Sequence, residues 1–283
     1  MTFRITSVKL GTRTFRLSLG IIGLTTCALS IKRLEYSTAS SPASDRSSSS
    51  SQHDFSDSES LTINGVSIGR NFLSHNQIDN IKKSLASEIE KKIVSANEIS
   101  KGRYHYNMLP SSAFANLEEI KYLISQIVIP ATSIIGMNPQ DLMLTTLQIV
   151  DSVPGSAIQI WHADNAEKGL TVIIPLTDLT ENNGPTELII GSHDLLHSIQ
   201  NGKIALVRPI ISAGDGIVMD GRVLHRGGAN SSNSSRPILV LRYDSKKTQP
   251  PCMTTVGATL RLFLAKSIVA FWGDIQDIDG KDR

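Results

Sequence analysis

Cysteine is scarce in this sequence. Two residues, Cys27 and Cys252, stand among 283, too few for a disulfide framework or a cysteine-based metal site. A reducing compartment fits that count best. Charge of one sign is lacking as well: 28 basic residues against 26 acidic ones leave a formal net charge of +2. No basic stripe interleaves with aromatics, so nucleic acid is not among the expected partners. Long apolar runs are also missing. The apolar stretch 17–31 is shorter than the about 20 residues that span a bilayer. No internal repeat is present.

What is there supports one catalytic domain with extensions. Hydrophobic residues make up 40% and charged residues 19%, enough to build a sizeable core. Residues 1–34 contain no acid, while Arg4, Lys9, Arg13, Arg16, Lys32 and Arg33 flank the apolar stretch. Three readings compete for this segment. It resembles an organelle transit peptide (mitochondrion or plastid), a secretory signal, or a short membrane anchor. The first is preferred, and any membrane contact would run through residues 17–31. Residues 35–60 are dominated by serine and cannot bury enough surface to offset their ordering entropy, so they read as a disordered linker. The catalytic domain is expected over 61–247. A helical extension is expected over 248–283, where Arg261 and Lys266 sit too centrally in the helical stretch 256–272 for a membrane span.

Within the domain, residues 61–73 alternate like a short strand or hairpin. Ser74 followed by Gln77 fits a capping box and opens a helix over 75–94. A second helix is expected over 115–127, closed by Pro130. The pattern then changes to period two. Strands are expected at 142–150, 157–161, 170–176, 186–190, 205–211, 216–219 and 238–243, separated by turn signals such as VPGS, ENNGP and SAGDG. Many short strands with glycine and proline turns predict a mainly β fold, a sandwich or barrel, with helices buttressing it.

The chemistry-bearing residues cluster on these strands. His162 and Asp164 end one of them, and residues two apart in an extended segment point to the same side. His225 follows the run GDGIVMDGR at a later strand end. Two imidazoles and one carboxylate form a facial triad that leaves coordination positions open on Fe(II) for O2 and a bidentate 2-oxo acid. Zinc accepts the same ligands, so these residues alone do not select the metal. Arg236 helps to select it. An antiparallel return would place this residue beside the metal-bearing strand end. Its guanidinium fork suits the distal carboxylate of 2-oxoglutarate, a partner that a zinc hydrolase does not need. An H-x-D is common by chance, and isolated histidines are often structural. The second histidine and the arginine at workable spacing raise this constellation above that background.

The stretches IQIWHAD (158–164), NNGPTELIIGSH (182–193), GDGIVMDGRVLHRGGANSS (214–232) and RPILVLRY (236–243) resemble the phytanoyl-CoA dioxygenase family. So does the opening GVSIGRNFLSHNQIDNIKKSL (65–85). The resemblance covers most of 62–245. It implies a double-stranded β-helix (jelly roll, cupin-like). It further implies iron ligation by His162, Asp164 and His225, and anchoring of the co-substrate 2-oxoglutarate by Arg236. Relatives also place co-substrate contacts on the strand carrying Thr145, Thr146 and Gln148; ordinary strand packing is the competing reading there. The family's P-G-S-H turn has Ile190 in place of proline. Asp164 is retained, where halogenating relatives carry a small residue, so hydroxylation is favoured. Residues that would hold a CoA thioester are not recognisable.

The expected reaction converts a small-molecule or lipid-like substrate with Fe(II), 2-oxoglutarate and O2, with ascorbate as a supporting reductant. Two other classes fit the residues less well: a zinc or manganese jelly-roll enzyme independent of 2-oxoglutarate, and a non-catalytic binding module of the same fold. Other polar residues receive structural expectations. Gln159 lies one position out of phase with His162. His193 and His197 are expected near a turn, in solvent-exposed or capping roles, and Asp215 as a turn stabiliser. Asp220 flanks the strand before His225. Asn230 and Asn233 begin sequons inside the expected site loop. The segment RYHYNMLP (103–110) is either a pocket rim or an ordinary strand.

Overall fold

The computed structural model describes residues 58–109, 111–201 and 204–246. It also describes two paired strands, β1 (Thr14–Arg16) and β2 (Ala28–Ser30), and positions 263 and 267. The expected targeting segment and linker therefore lie almost wholly outside the described residues. The expected helix over 256–272 does too, apart from those two positions.

Helix α1 (Ser58–Asn64) opens the continuous part. Residues 61–64, expected to be extended, are helical. Leu61 is drawn into the core (1% exposed), and Ser60 Oγ donates to Val66 O. Helix α2 (His75–Glu90) starts at the predicted capping box, with Ser74 and Gln77 bonded in both directions. It buries Ile78 and Ile81 and stops short of Val94, because Lys92 turns the chain at φ 57°. The expected helix over 115–127 begins later and does not end at Pro130. Helix α3 (Glu118–Leu123) runs through a π turn (Ile124–Val128) into α4 (Ile129–Ile134). Pro130 sits in the first turn of α4. There its missing N–H costs no helical hydrogen bond, and the wider turn ahead of it admits the ring.

Two antiparallel sheets carry the fold. The larger has seven strands in the order β3 (Val66–Gly69), β10 (Gly216–Asp220), β7 (Gly169–Pro175), β12 (Arg236–Ser245), β6 (Leu142–Ser152), β5 (Arg103–Asn107), β4 (Ala96–Ser100). The smaller has β11 (Leu224–Gly227), β8 (Thr186–Ile190) and β9 (Ala205–Val207). This is the predicted jelly roll. Period-two alternation divides the large sheet into two faces. Leu147, Ile149, Leu170, Val172, Leu239 and Leu241 face the helices and join the Phe114, Ile120 and Leu123 cluster. Val150, Ile173, Ile217, Ile238 and Val240 face inward and meet Leu188 of the small sheet. Strand β9 is shorter than expected: it stops before Pro209, which has no N–H to give to a ladder.

The expected strand at 157–161 is not a regular strand. Its segment pairs with β11 through Gln159 N to Gly227 O (3.0 Å) and then through a reciprocal pair between His162 and His225 (3.0 and 2.8 Å). Three residues separate the two contacts on one side and two on the other, so the segment carries one extra residue, as a bulge does. The Gln159 side chain completes the ladder by accepting from Gly227 N at 2.7 Å.

Candidate metal centre and co-substrate pocket

The inner face of β11 presents His225. His162 lies directly opposite, with the two ring centroids 4.4 Å apart and the rings inclined at 50°. Each ring is oriented in the same way. His162 Nδ1 lies 2.9 Å from Ile160 O and His225 Nδ1 lies 3.0 Å from Val223 O. A carbonyl can only accept, so each Nδ1 carries the proton and each Nε2 keeps its lone pair for a metal. Asp164 completes the group, with Oδ1 3.7 Å from His225 Nε2. Its Oδ2 accepts from Thr171 Oγ1 at 2.7 Å. One ligand atom from each of the three residues lies within 4.8 Å of the others. Burial works against the charged form of Asp164. The positive charge that the His225 and His162 rings carry when protonated, the Thr171 hydroxyl and Arg242 outweigh it in the metal-free protein, holding the carboxyl below its usual range. Two neutral imidazole nitrogens and one carboxylate oxygen converge as a facial triad would, so the residues present fit a ferrous ion.

Rows of side chains across β5, β6 and β12 build the far end of the same cavity. The first row is Arg103, Ser152 and Arg236, set side by side by strand register. Arg236 is fully buried, and its Nη2 donates to Ser152 Oγ at 2.8 Å. Its Nε and Nη1 have no partner among the described residues, although both are shielded from solvent. Burial lowers Arg236 to about 9, the Arg103 charge adds to this, and Asp151 only partly opposes it. Arg103, also fully buried, is lowered by desolvation to about 10. Two buried guanidiniums facing one cavity require an anion, since an uncompensated buried charge is costly. In the next rows, His105 Nδ1 meets Gln148 Oε1 at 3.2 Å, and both line the cavity with Thr186, Ile173 and Val240. Burial, helped by the Arg103 charge and opposed by the Gln148 hydrogen bond, holds His105 below the usual histidine range. It is therefore neutral at pH 7.

The structure thus brings His162, Asp164, His225, Arg236 and Gln148 to one cavity. Thr145 and Thr146 do not line it. A register shift between Arg242 and Tyr243 displaces Thr145 outward, where it is exposed and bonds to Asp244 Oδ2 at 2.8 Å. Gln159, expected out of phase with His162, lines the cavity, because the extra residue between them restores a common direction. Trp161 points the other way, under the Arg226 guanidinium at 4.3 Å, and Arg226 is held by Glu187. His193 is buried rather than exposed: its Nε2 lies 3.4 Å from Thr62 O. His197 is exposed beside Asn201. Asp215 accepts from Ser212 N, Asn71 N and Arg70, as a turn residue would, while Asp220 is bound by Arg222. Asn230 is buried, and its side chain donates to Ser152 O and Ser234 O, a structural role in the loop behind Arg236. The segment 103–110, read as a pocket rim or an ordinary strand, is a strand over Arg103–Asn107 whose Arg103 and His105 line the cavity; sequence reasoning gave these two no specific role, and missed Ser152, Thr171 and the true direction of Gln159. The alternation R-x-H in 103–105 next to Gln148 was the available signal for Arg103 and His105.

The model of the phytanoyl-CoA dioxygenase family matches residues 64–238. The chain belongs to that family, a class of non-haem iron oxygenases. Relatives include dioxygenase easH of Epichloe festucae var. lolii, 31% identical over 129 residues, which cover 40% of this chain and 66% of the relative. The iron/alpha-ketoglutarate-dependent dioxygenase ausU of Aspergillus calidoustus is 26% identical over 194 residues, covering 62% of this chain and 64% of the relative. Among solved structures, EvdO2 from Micromonospora carbonacea var. aurantiaca, complexed with 2-oxoglutarate, shares the fold. Its TM-score is 0.52 at 15% identity, covering 69% of this chain and 92% of EvdO2. The chain spans from about one third to two thirds of the length of curated relatives that it matches.

Proposed function

We propose that this chain is an Fe(II)- and 2-oxoglutarate-dependent dioxygenase that hydroxylates an unactivated C–H of a small-molecule or lipid-like substrate. Succinate and CO2 would be its co-products. The observation that carries the reading is one cavity with a His–Asp–His group at one end and a buried, partly unpartnered arginine at the other. That spacing of unlike ends matches a molecule with a chelating 2-oxo acid and a distal carboxylate. His162, Asp164 and His225 would hold the iron, which when bound supplies the activation of O2. Arg236 pairs with the distal carboxylate through guanidinium N–H groups that Ser152 leaves open. Gln148, its amide oxygen engaged by His105, lines the cavity and has its amide N–H groups to offer as further donors. The carbonyls of Ile160 and Val223 fix the histidine tautomers, and Thr171 fixes the carboxylate rotamer, so the ligands need no rearrangement on metal entry. Asp164 occupies the position that a halide would need, which favours hydroxylation. Similarity to fungal dioxygenases supports a small-molecule substrate. Delivery to an organelle through residues 1–34 belongs to the same proposal.

The test is succinate release from purified protein with Fe(II), ascorbate and 2-oxoglutarate across a panel of candidate substrates, with metal content measured in parallel. Wild type should release succinate only with both iron and 2-oxoglutarate. Asp164→Ala should abolish release. Full turnover by metal-reconstituted Asp164→Ala would reject the ligand set. Turnover without 2-oxoglutarate would favour the zinc or manganese alternative.

A further inference from the structure

Arg103 touches both halves of the cavity, and its contacts follow a pattern. The segment bearing His162 and the strand bearing His225 are laced together at His162–His225 and at Gln159–Gly227. Between those contacts and the Ser156–Asn230 and Gly155–Asn230 backbone bonds, the Arg103 guanidinium bridges the two segments. Its Nη2 donates to Ala157 O at 3.1 Å and to Gly228 O at 3.0 Å, one carbonyl from each segment. Its Nη1 donates to Ser152 Oγ at 2.5 Å, the same oxygen that receives Arg236 Nη2. A planar fork with fixed donor directions can hold these three acceptors at once, which an ammonium cannot do with the same geometry. The neighbouring backbone makes room for it. A Cβ on Gly227 would come within 2.6 Å of Arg103 Nη1 and 2.8 Å of Gln159 Oε1.

We propose that Arg103 is a positioning residue that couples the two ends of the site. It closes the ladder that aims His162 and His225, and it sets, through Ser152, the direction of Arg236. The inference rests on the reading of Arg236 as the co-substrate anchor. Its metal half stands independently of that reading. Three of the five N–H groups of Arg103 go to protein oxygens, and its buried Nε is left without a partner among the described residues. In this proposal its effect on a bound dicarboxylate runs through Ser152 and Arg236, so loss of the fork loosens metal and co-substrate sites together, whereas changes at Arg236 loosen the co-substrate end alone.

The experiment measures two affinities on the full chain without O2: Mn(II) in the absence of 2-oxoglutarate, and 2-oxoglutarate on Mn(II)-loaded protein. Arg103→Gln should weaken both by about tenfold, the lower range for residues that support metal ligands. Arg103→Lys keeps the charge but loses the fork, and should weaken both as well. This second variant decides the matter if Arg103→Gln does not fold. Arg236→Lys should weaken 2-oxoglutarate binding and leave Mn(II) affinity within about twofold, a split that general loss of stability would not produce. Unchanged Mn(II) affinity in Arg103→Gln and Arg103→Lys would overturn the proposal and make Arg103 a direct co-substrate contact. If wild type binds Mn(II) but no 2-oxoglutarate, the functional reading fails, and the Mn(II) comparison still decides the role of Arg103.

Discussion

Thr171 offers a test of the metal site that leaves all three proposed ligands in place. It lies on β7, fully buried, with Oγ1 2.7 Å from Asp164 Oδ2. Thr171→Val keeps the β-branched shape and the strand, and removes one hydroxyl. The other carboxylate oxygen is the one that faces His225. A hydrogen bond to a charged acceptor contributes about 1.5–3 kcal/mol, and the partner left unsatisfied is a buried anion. Taking about 2 kcal/mol and a factor of ten per 1.4 kcal/mol, Mn(II) affinity should fall by about 30-fold. Titration of metal-free protein with Mn(II), followed by calorimetry, reads the change, and a melting curve of the metal-free variant checks folding. Thr171→Ser, which keeps the donor, should stay within about threefold of wild type by the same reasoning. A folded Thr171→Val protein that binds Mn(II) as tightly as wild type would refute the argument, because Asp164 would then need no orientation or would not ligate at all.

Three further expectations follow from the same geometry. Arg236 is lowered to about 9 in the empty pocket, and an anion needs it charged. The 2-oxoglutarate dissociation constant should therefore be flat below that pH and rise by about tenfold per unit above it; flat affinity to pH 10 would show that Arg236 keeps its charge in the pocket and refute the lowered value. Gly184 adopts φ 75°, and a Cβ there would lie 2.4 Å from Gly228 O. Gly184→Ala should thus cost about 1–3 kcal/mol, read as a lowered melting temperature, and an unshifted melt would contradict the contact. Gln159→Leu leaves Gly227 N without its acceptor. That should cost about 1–3 kcal/mol and weaken Mn(II) binding, both visible in a melt with and without metal.

The strands that matter most were legible because their apolar faces repeat every two residues. β6, β7, β8, β10 and β12 all contain or overlap the expected runs. The grouping of His162, Asp164 and His225 was legible because the first two are two residues apart in an extended segment and the third follows a glycine-flanked strand. Arg236 was legible from spacing alone. What escaped depended on register. The direction of Gln159 turns on one extra residue facing β11, and the exclusion of Thr145 turns on a shift between Arg242 and Tyr243. Neither insertion leaves a mark in local propensity. Arg103 and Ser152 escaped for a different reason. They meet across β5 and β6, 49 positions apart, and nothing short-range links them. Pro130 misled because its usual effect on a helix assumes α geometry, and a π turn precedes it.

The large sheet keeps its two surfaces apart. Val172 packs beneath the helices while Thr171, its immediate neighbour, serves the carboxylate, and Leu239 and Ile238 divide in the same manner. Most of the packing that holds this sheet to its helices therefore lies on the side that no ligand reaches. Residues on the other side can be exchanged one at a time with the supporting layer undisturbed. Such a scaffold can acquire new substrate preferences by small steps, each tolerated by the fold, while the iron-binding corner stays fixed.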